Sequence, residues 1–245
     1  MPPKEVLIMA MTRMRSGICT AGFMAGDDPP DGLAWVRPVN EHGALLLGDM
    51  TDAAGRVVRM GDVVELALVR PRPVPVHQED WVAEFIRHRP RLLRQLTGDR
   101  RVEFLAGHID PAPEEVLTAH RRSLCLVQPA AVTALFLLDR QTGKYEARLA
   151  FRLEGCAGAA AGPHNFPVTD LAWRALGRRW LAEAGDAASQ VRLALDEDEL
   201  RRRLPATAIY LSLGLSRTYA GKIWPLVIGV HPTPEPVVEI DYGQL

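Results

Sequence analysis

The stretch Ala208–Val230, AIYLSLGLSRTYAGKIWPLVIGV, constrains the fold of this chain more than any other. It holds two apolar runs of strand length, Ile209–Leu215 and Ile223–Val230, joined by the polar segment Ser216–Lys222. Short apolar runs on either side of a glycine-bearing connection read as paired strands. A cationic and aromatic connection between buried strands is how a β-scaffold displays a binding loop. The loop candidates are Arg217, Tyr219 and Lys222, with Gly221 permitting close backbone approach. On this reading Trp224 belongs to the core, with most of Ile223–Val230.

A chain of 245 residues makes one large domain or two small ones. At 47% hydrophobic and 24% charged, it has the material for a packed core, which excludes wholesale disorder. The 29 basic and 30 acidic side chains leave a formal charge of −1, which argues against a generic polyelectrolyte binder but leaves room for a local basic groove. Cys19, Cys125 and Cys156 are odd in number and far apart, so isolated thiols in a reducing cytosol fit better than a disulfide frame or a zinc site. The apolar run Val6–Met11 is too short for a signal sequence or a membrane span and is followed at once by arginine. A cytoplasmic protein with no membrane partner is expected. The alanine- and arginine-rich composition points to a GC-rich bacterial genome.

Strands are expected at Glu5–Met11, Ile18–Met24, Leu33–Val39 and Val63–Arg70, with turn-rich AGDDPPDG between the second and third. Pro38 suits an edge or a strand end. Trp81, Phe85, Leu92, Leu93 and Leu96 recur near the helical period, so Gln78–Leu96 is expected as a helix interrupted at Pro90, with Gly98 as its stop. Arg101–Leu105 reads as a short strand and Pro111–Ala119 as a helical turn. Ser123–Val127, Ala131–Leu138 and Tyr145–Leu153 read as strands, the last two a hairpin around DRQTGK. Helices follow at Asp170–Ala184, capped by Thr169 or Asp170, and at Glu197–Leu204. The expected organisation is a first β unit over 1–76, a helical connection over 77–121, a second β unit with inserted helices over 122–231, and a proline-rich tail over 232–245. The fold class is β-rich α+β, with two small barrels or sheets.

The N-terminal strand followed by TRMRSGICTAG, then AWVRPV, HQEDWV, PVTDLAW and LSLGLSRTYAGKIWPLVIGV, occur in an order and spacing that resemble the bacterial dual OB-fold proteins. That resemblance implies two tandem OB-like β-barrels and a nucleic-acid- or nucleotide-binding role, in bacterial defence or nucleic-acid processing. It brings no catalytic residues. The alanine-rich segment Glu154–Gly162 and the proline-rich tail depart from it.

Arg13, Arg15, Trp35 and Arg37 form the first candidate cluster, because OB surfaces stack bases on aromatic rings while cations follow the backbone. Strand alternation puts Trp35 and Arg37 on one face. The same residues also fit a core tryptophan with an arginine stem beside it. Arg217, Tyr219 and Lys222 form the second cluster, and their alternative is a hairpin whose charges only confer solubility. His77 and Asp80 are the most enzyme-like pair, although Asp80 equally suits the cap of a helix beginning at Trp81. Arg174, Arg178 and Arg179 make a basic helix face that is either solvated or part of a phosphate track. No phosphate-loop, dinucleotide, zincin, nucleophile-elbow or zinc-ribbon pattern occurs, so no cofactor, metal or catalytic residue is expected. The expected function is a non-enzymatic module whose partner is single-stranded nucleic acid or a nucleotide. The alternatives are a nucleic-acid- or nucleotide-processing enzyme using His77 and Asp80, and a protein-interaction subunit of a larger complex.

Overall fold

The first strand, β1 (Lys4–Met14), is buried without a break from Val6 to Thr12. A strand covered on both faces needs a neighbour along each edge to satisfy its backbone. β1 finds them in β2 (Gly17–Ala25) and β4 (Asp62–Leu66), both antiparallel to it. A computed structural model describes residues 2–14, 16–26, 32–184, 188–218 and 220–244. It is 45% strand and 19% helix, and the chain separates into two units. Unit 1 comprises Met1–Phe104 and Arg121–Leu124; unit 2 comprises Leu105–His120 and Cys125–Leu245.

Unit 1 is a curled sheet of seven strands. With β3 (Leu33–Val39), β5 (Leu68–Pro71), β6 (Asp80–Ala83) and β7 (Arg91–Gln95), its order is β5-β6-β3-β2-β1-β4-β7. Among the described residues of this sheet, only β3 and β6 run parallel. β1 carries a bulge between Ile8 and Ala10, and Gly22 of β2 sits against it. A Cβ on Gly22 would lie 2.1 Å from the Leu7 carbonyl oxygen, so only glycine fits this approach. Asp62, fully buried, accepts hydrogen bonds from Arg56 and the Arg59 N–H on one oxygen and from Gln95 on the other. It thereby ties the 51–59 loop and β7 to β4.

Helices α1 (Gly98–Gly107) and α2 (Glu114–Leu117) precede β8 (Leu124–Val127). In unit 2, β9 (Pro129–Asp139) and β10 (Tyr145–Leu153) form the hairpin expected around DRQTGK, with Asp139 accepting from the Gln141 and Thr142 N–H groups. Tyr145, Ala147, Leu149, Phe151 and Leu153 are all buried, as their alternation requires. β11 (His164–Pro167) and β12 (Gln190–Leu195) flank this hairpin in the order β11-β10-β9-β12. α3 (Leu171–Glu183) lays Trp173 and Trp180 against Phe136. Its Gly177 admits the Phe136 ring, which would stand 2.2 Å from any Cβ there. α4 (Glu197–Arg203) has acids in its first turn and arginines in its last. β13 (Ala208–Leu215) lies between β14 (Pro225–Thr233) and β8 in a sheet of order β14-β13-β8.

Several local expectations change. Gln78–Leu96 is not a helix: it supplies β6 and β7, because pairing with β3 and β4 outweighs a helical spacing that Pro90 already breaks. Gly98, at φ 59°, opens α1 rather than ending a helix, and Arg101–Leu105 lies within α1. Asp80 therefore caps no helix. Pro38 lies in an interior strand, but β2 pairing stops at Val36, so its missing N–H faces no β2 partner. β14 runs through Thr233, taking His231 and Pro232 into the sheet. Among the described residues no helix is long and apolar enough to cross a membrane.

Asp170 joins α3 to β14. One carboxylate oxygen caps the helix, accepting from Ala172 N at 2.8 Å and Trp173 N at 3.2 Å, and the other accepts from Val230 N at 2.7 Å. Thr169 N donates to Val227 O at 2.9 Å, and Val168 bridges Val227 in parallel. Complete burial pushes the Asp170 carboxyl up to about 7, against the three N–H groups that lower it. The folded state thus holds this proton more tightly than the unfolded chain, whose value is near 3.8. The stabilisation is complete below that value and falls as pH rises through 7, by roughly 1.4 kcal/mol per pH unit in between. Asp170→Asn, which loses an acceptor, is expected to destabilise unit 2 by about 1–3 kcal/mol near pH 5. Urea unfolding of both proteins should show that gap narrowing towards pH 8; a constant gap would mean that Asp170 does not titrate there.

Candidate nucleic-acid interface

The β13–β14 connection is pinched at its neck. Leu215 pairs with Pro225, Ser216 N donates to Trp224 O at 2.9 Å, and Trp224 N donates to Ser216 Oγ at 2.9 Å. Beyond the neck, Ala220 and Gly221 both take positive φ, 49° and 74°, which turns the chain back. Arg217, Thr218, Ala220, Gly221 and Lys222 are exposed. Trp224, expected in the core, is 52% exposed. Strand pairing begins only at Pro225, so the Trp224 backbone belongs to the neck and its ring stays outside the sheet. The Lys222 ammonium lies 5.9 Å from that ring's centroid, and Lys222 forms no ion pair among the described residues. The loop therefore gathers Arg217, Lys222 and an indole face. Tyr219 lies outside the described residues.

The first cluster does not form one patch. Arg13 is exposed near the end of β1, opposite Ile18, whereas Trp35 lies opposite Phe23. Those positions are five steps apart along β2, about 17 Å at the rise of an antiparallel strand. Trp35 is half-buried, its ring 4.2 Å from that of Phe23, which in turn meets Phe104. Arg15 lies outside the described residues.

Arg37 is placed inside unit 1, at 6% exposure. Its Nε donates to Asp80 Oδ1 at 2.7 Å, and its Nη2 meets His77 Nδ1 at 2.6 Å and Ser123 Oγ at 2.9 Å. Glu79 completes the group, accepting from Ser123 N and Oγ and standing 3.9 Å from the guanidinium. Arginine only donates, so His77 Nδ1 is the acceptor in its contact with Arg37. His77 and Asp80, the residues with most chemistry in sequence, are thus brought together around Arg37, both buried. The parallel register that sets Arg37 opposite Asp80 makes this possible. Removing one partner of a buried ion pair strands the other charge. Asp80→Ala is therefore expected to cost about 3–5 kcal/mol of unit 1 stability, measured by denaturant unfolding. A loss under 1 kcal/mol would show that Arg37 finds other compensation.

The remaining cations sort by partner. Arg174 and Arg178 stack on Tyr145 at 4.7 and 4.4 Å, and Arg179 pairs with Glu183, so the basic helix face is largely engaged within unit 2. His164 is held by the Ala160 carbonyl, and Asp110 accepts from Ala112 N. Ser212 and His231 meet at 2.8 Å, both fully buried. Among the described residues no group of three or more His, Cys, Asp or Glu side chains is placed to hold a metal ion.

No curated protein and no solved structure matches the chain. A family model described as a dual OB-containing domain matches residues 4–230. That span opens with the first residue of β1 and ends within β14, so it takes in both β-rich units. A dual OB architecture suggests a nucleic-acid-binding or related module. On that match, and on the two β-rich units it spans, the chain belongs to the dual OB-containing domain family.

Proposed function

We propose that this chain is a non-enzymatic binder of single-stranded nucleic acid and that loop 216–224 of unit 2 is its principal contact. The observation that carries this reading is the half-exposed indole of Trp224 beside Lys222, at the neck of an exposed loop that also bears Arg217. A base stacked on an aromatic ring gains roughly 1–3 kcal/mol whatever its identity, and cations beside the ring meet the phosphates. The neck hydrogen bonds hold the Trp224 backbone in place before any ligand arrives, which lowers the ordering cost of binding. Tyr219 would add a second ring to the same loop. Arg13 and Arg15 would add electrostatic contacts in unit 1, and half-buried Trp35 an aromatic one. Arg37 serves this reading from inside, as the group that holds β3 to β6. The commitment of His77 and Asp80 to Arg37 supports a structural role for both.

Trp224→Ala is expected to weaken binding of a fluorescently labelled oligothymidine by about 5- to 150-fold at low salt, the equivalent of one lost stacking contact. Its thermal midpoint should match the wild type, since the ring contributes little to the core. Arg217→Ala with Lys222→Ala should flatten the dependence of log K on log salt by about 1.4, at 0.7 per phosphate for single strands. Failure of the wild type to bind any DNA or RNA oligonucleotide at low salt would sink the proposal.

A further inference from the structure

The β6–β7 loop of unit 1, Glu84–Pro90, has a built shape that its sequence does not announce. Its feet are buried, at Phe85 and Pro90. Glu84 N donates to Ala67 O at 3.0 Å, and the Glu84 carboxylate accepts from Ile86 N at 2.8 Å and Arg87 N at 3.3 Å. Those N–H groups hold the Glu84 carboxyl below its ordinary value, so it stays charged and turned to the backbone. The four residues that this clamp presents, Ile86, Arg87, His88 and Arg89, are all exposed, with Ile86 at 92%.

The neighbouring arginines behave differently. On the adjacent strand β7, Arg91 pairs with Glu65 at 2.5 Å and Arg94 with Glu5 at 2.9 Å. Arg70 pairs with Glu41, and Arg56 with Asp62. Among the described residues Arg87 and Arg89 form no ion pair. Glu84, the nearest acid, spends its hydrogen bonds on the backbone. Two guanidinium groups on a clamped tip, in no ion pair although the Glu84 charge attracts Arg87 from a distance, are suited to an anion brought from outside, and the planar fork of arginine matches a phosphate with two hydrogen bonds.

We propose that the tip Ile86–Arg89 is a second nucleic-acid contact of this protein, one that grips the phosphate backbone without reading bases. The inference rests on the nucleic-acid-binding reading above and adds a site in the other unit. No aromatic ring stands at this tip, so base stacking is absent and the contact is indifferent to sequence. Ile86 lies flat against sugar, excluding water beside the ion pairs. An anionic membrane is the competing partner, but a single apolar side chain among three basic ones offers little area for insertion.

The test compares the full-length wild type with Arg87→Ala/Arg89→Ala, Arg87→Lys/Arg89→Lys and Trp224→Ala. Oligothymidine binding is measured by fluorescence anisotropy across a salt series, and sedimentation is run with vesicles of phosphatidylcholine and phosphatidylserine. The double alanine variant should flatten the slope of log K against log salt by about 1.4, and the double lysine variant should keep it. Trp224→Ala should lower affinity with the slope unchanged. If the double alanine variant keeps the wild-type slope while Trp224→Ala loses affinity, this inference fails and the loop 216–224 reading stands. If Trp224→Ala binds like the wild type while the double alanine variant loses the slope, the tip stands and loop 216–224 falls. Vesicle binding that the double alanine variant alone abolishes, with oligonucleotide binding intact, would overturn the tip as a nucleic-acid contact. All variants alter exposed side chains, so thermal midpoints should agree with the wild type.

Discussion

Arg37 keeps a full positive charge at 6% exposure, and unit 1 is arranged so that it can. A buried guanidinium is tolerable only when its donors all find acceptors and an opposite charge stands close. Asp80 and Glu79 bring the charge, and His77 and Ser123 take further donors. These partners come from β6, from the segment just before it, and from Arg121–Leu124, far from Arg37 along the chain. The group therefore specifies one register: the parallel pairing of β3 with β6 sets Arg37 opposite Asp80, and a slip by one residue would leave both charges unmet. Unit 2 meets a buried acid differently, by holding its proton more tightly and surrounding it with donors. Asp170, fully buried, is met by three backbone N–H groups, two from the helix it caps and one from β14.

With these demands satisfied inside, the surface cations can be sorted by what they meet. Most arginines of β7 and α3 have a carboxylate or an aromatic ring beside them. Exposed pairs of this kind contribute little stability, but they neutralise the strands and helix that carry them. Among the described residues Arg87 and Arg89 on one connection, the β6–β7 tip, and Lys222 on another, the β13–β14 loop, form no ion pair. Both are shaped by their own hydrogen bonds, through the Glu84 carboxylate and the Ser216–Trp224 neck respectively. A near-neutral chain can therefore present local positive potential where a ligand phosphate would approach.

Much of the fold was legible because strand signals are local. The continuous apolar run of β1, the alternation of β10 and the DRQTGK turn each follow from side-chain period and turn chemistry. The cap of α3 and the charge polarity of α4 were legible for the same reason, since both are interactions within a turn or two of helix. Where local and non-local forces compete, local spacing does not decide the structure. The spacing of Trp81, Phe85 and Leu92 is helical, yet β3 and β4 offer that segment a ladder, and ladder pairing won.

That this is a β-rich chain with a cationic loop between its last two strands follows from contiguous residues alone, since both properties are local. Tertiary structure alone decided which candidate side chains reach solvent. Arg37 looked like a surface cation and is a core charge, because its acceptors lie 40, 43 and 86 residues away. Trp224 looked like core and is half exposed, because pairing starts at Pro225, two residues after apolar character does. Burial is set by what packs against a side chain, and that neighbour is a property of the register of the whole sheet rather than of the residue's own segment.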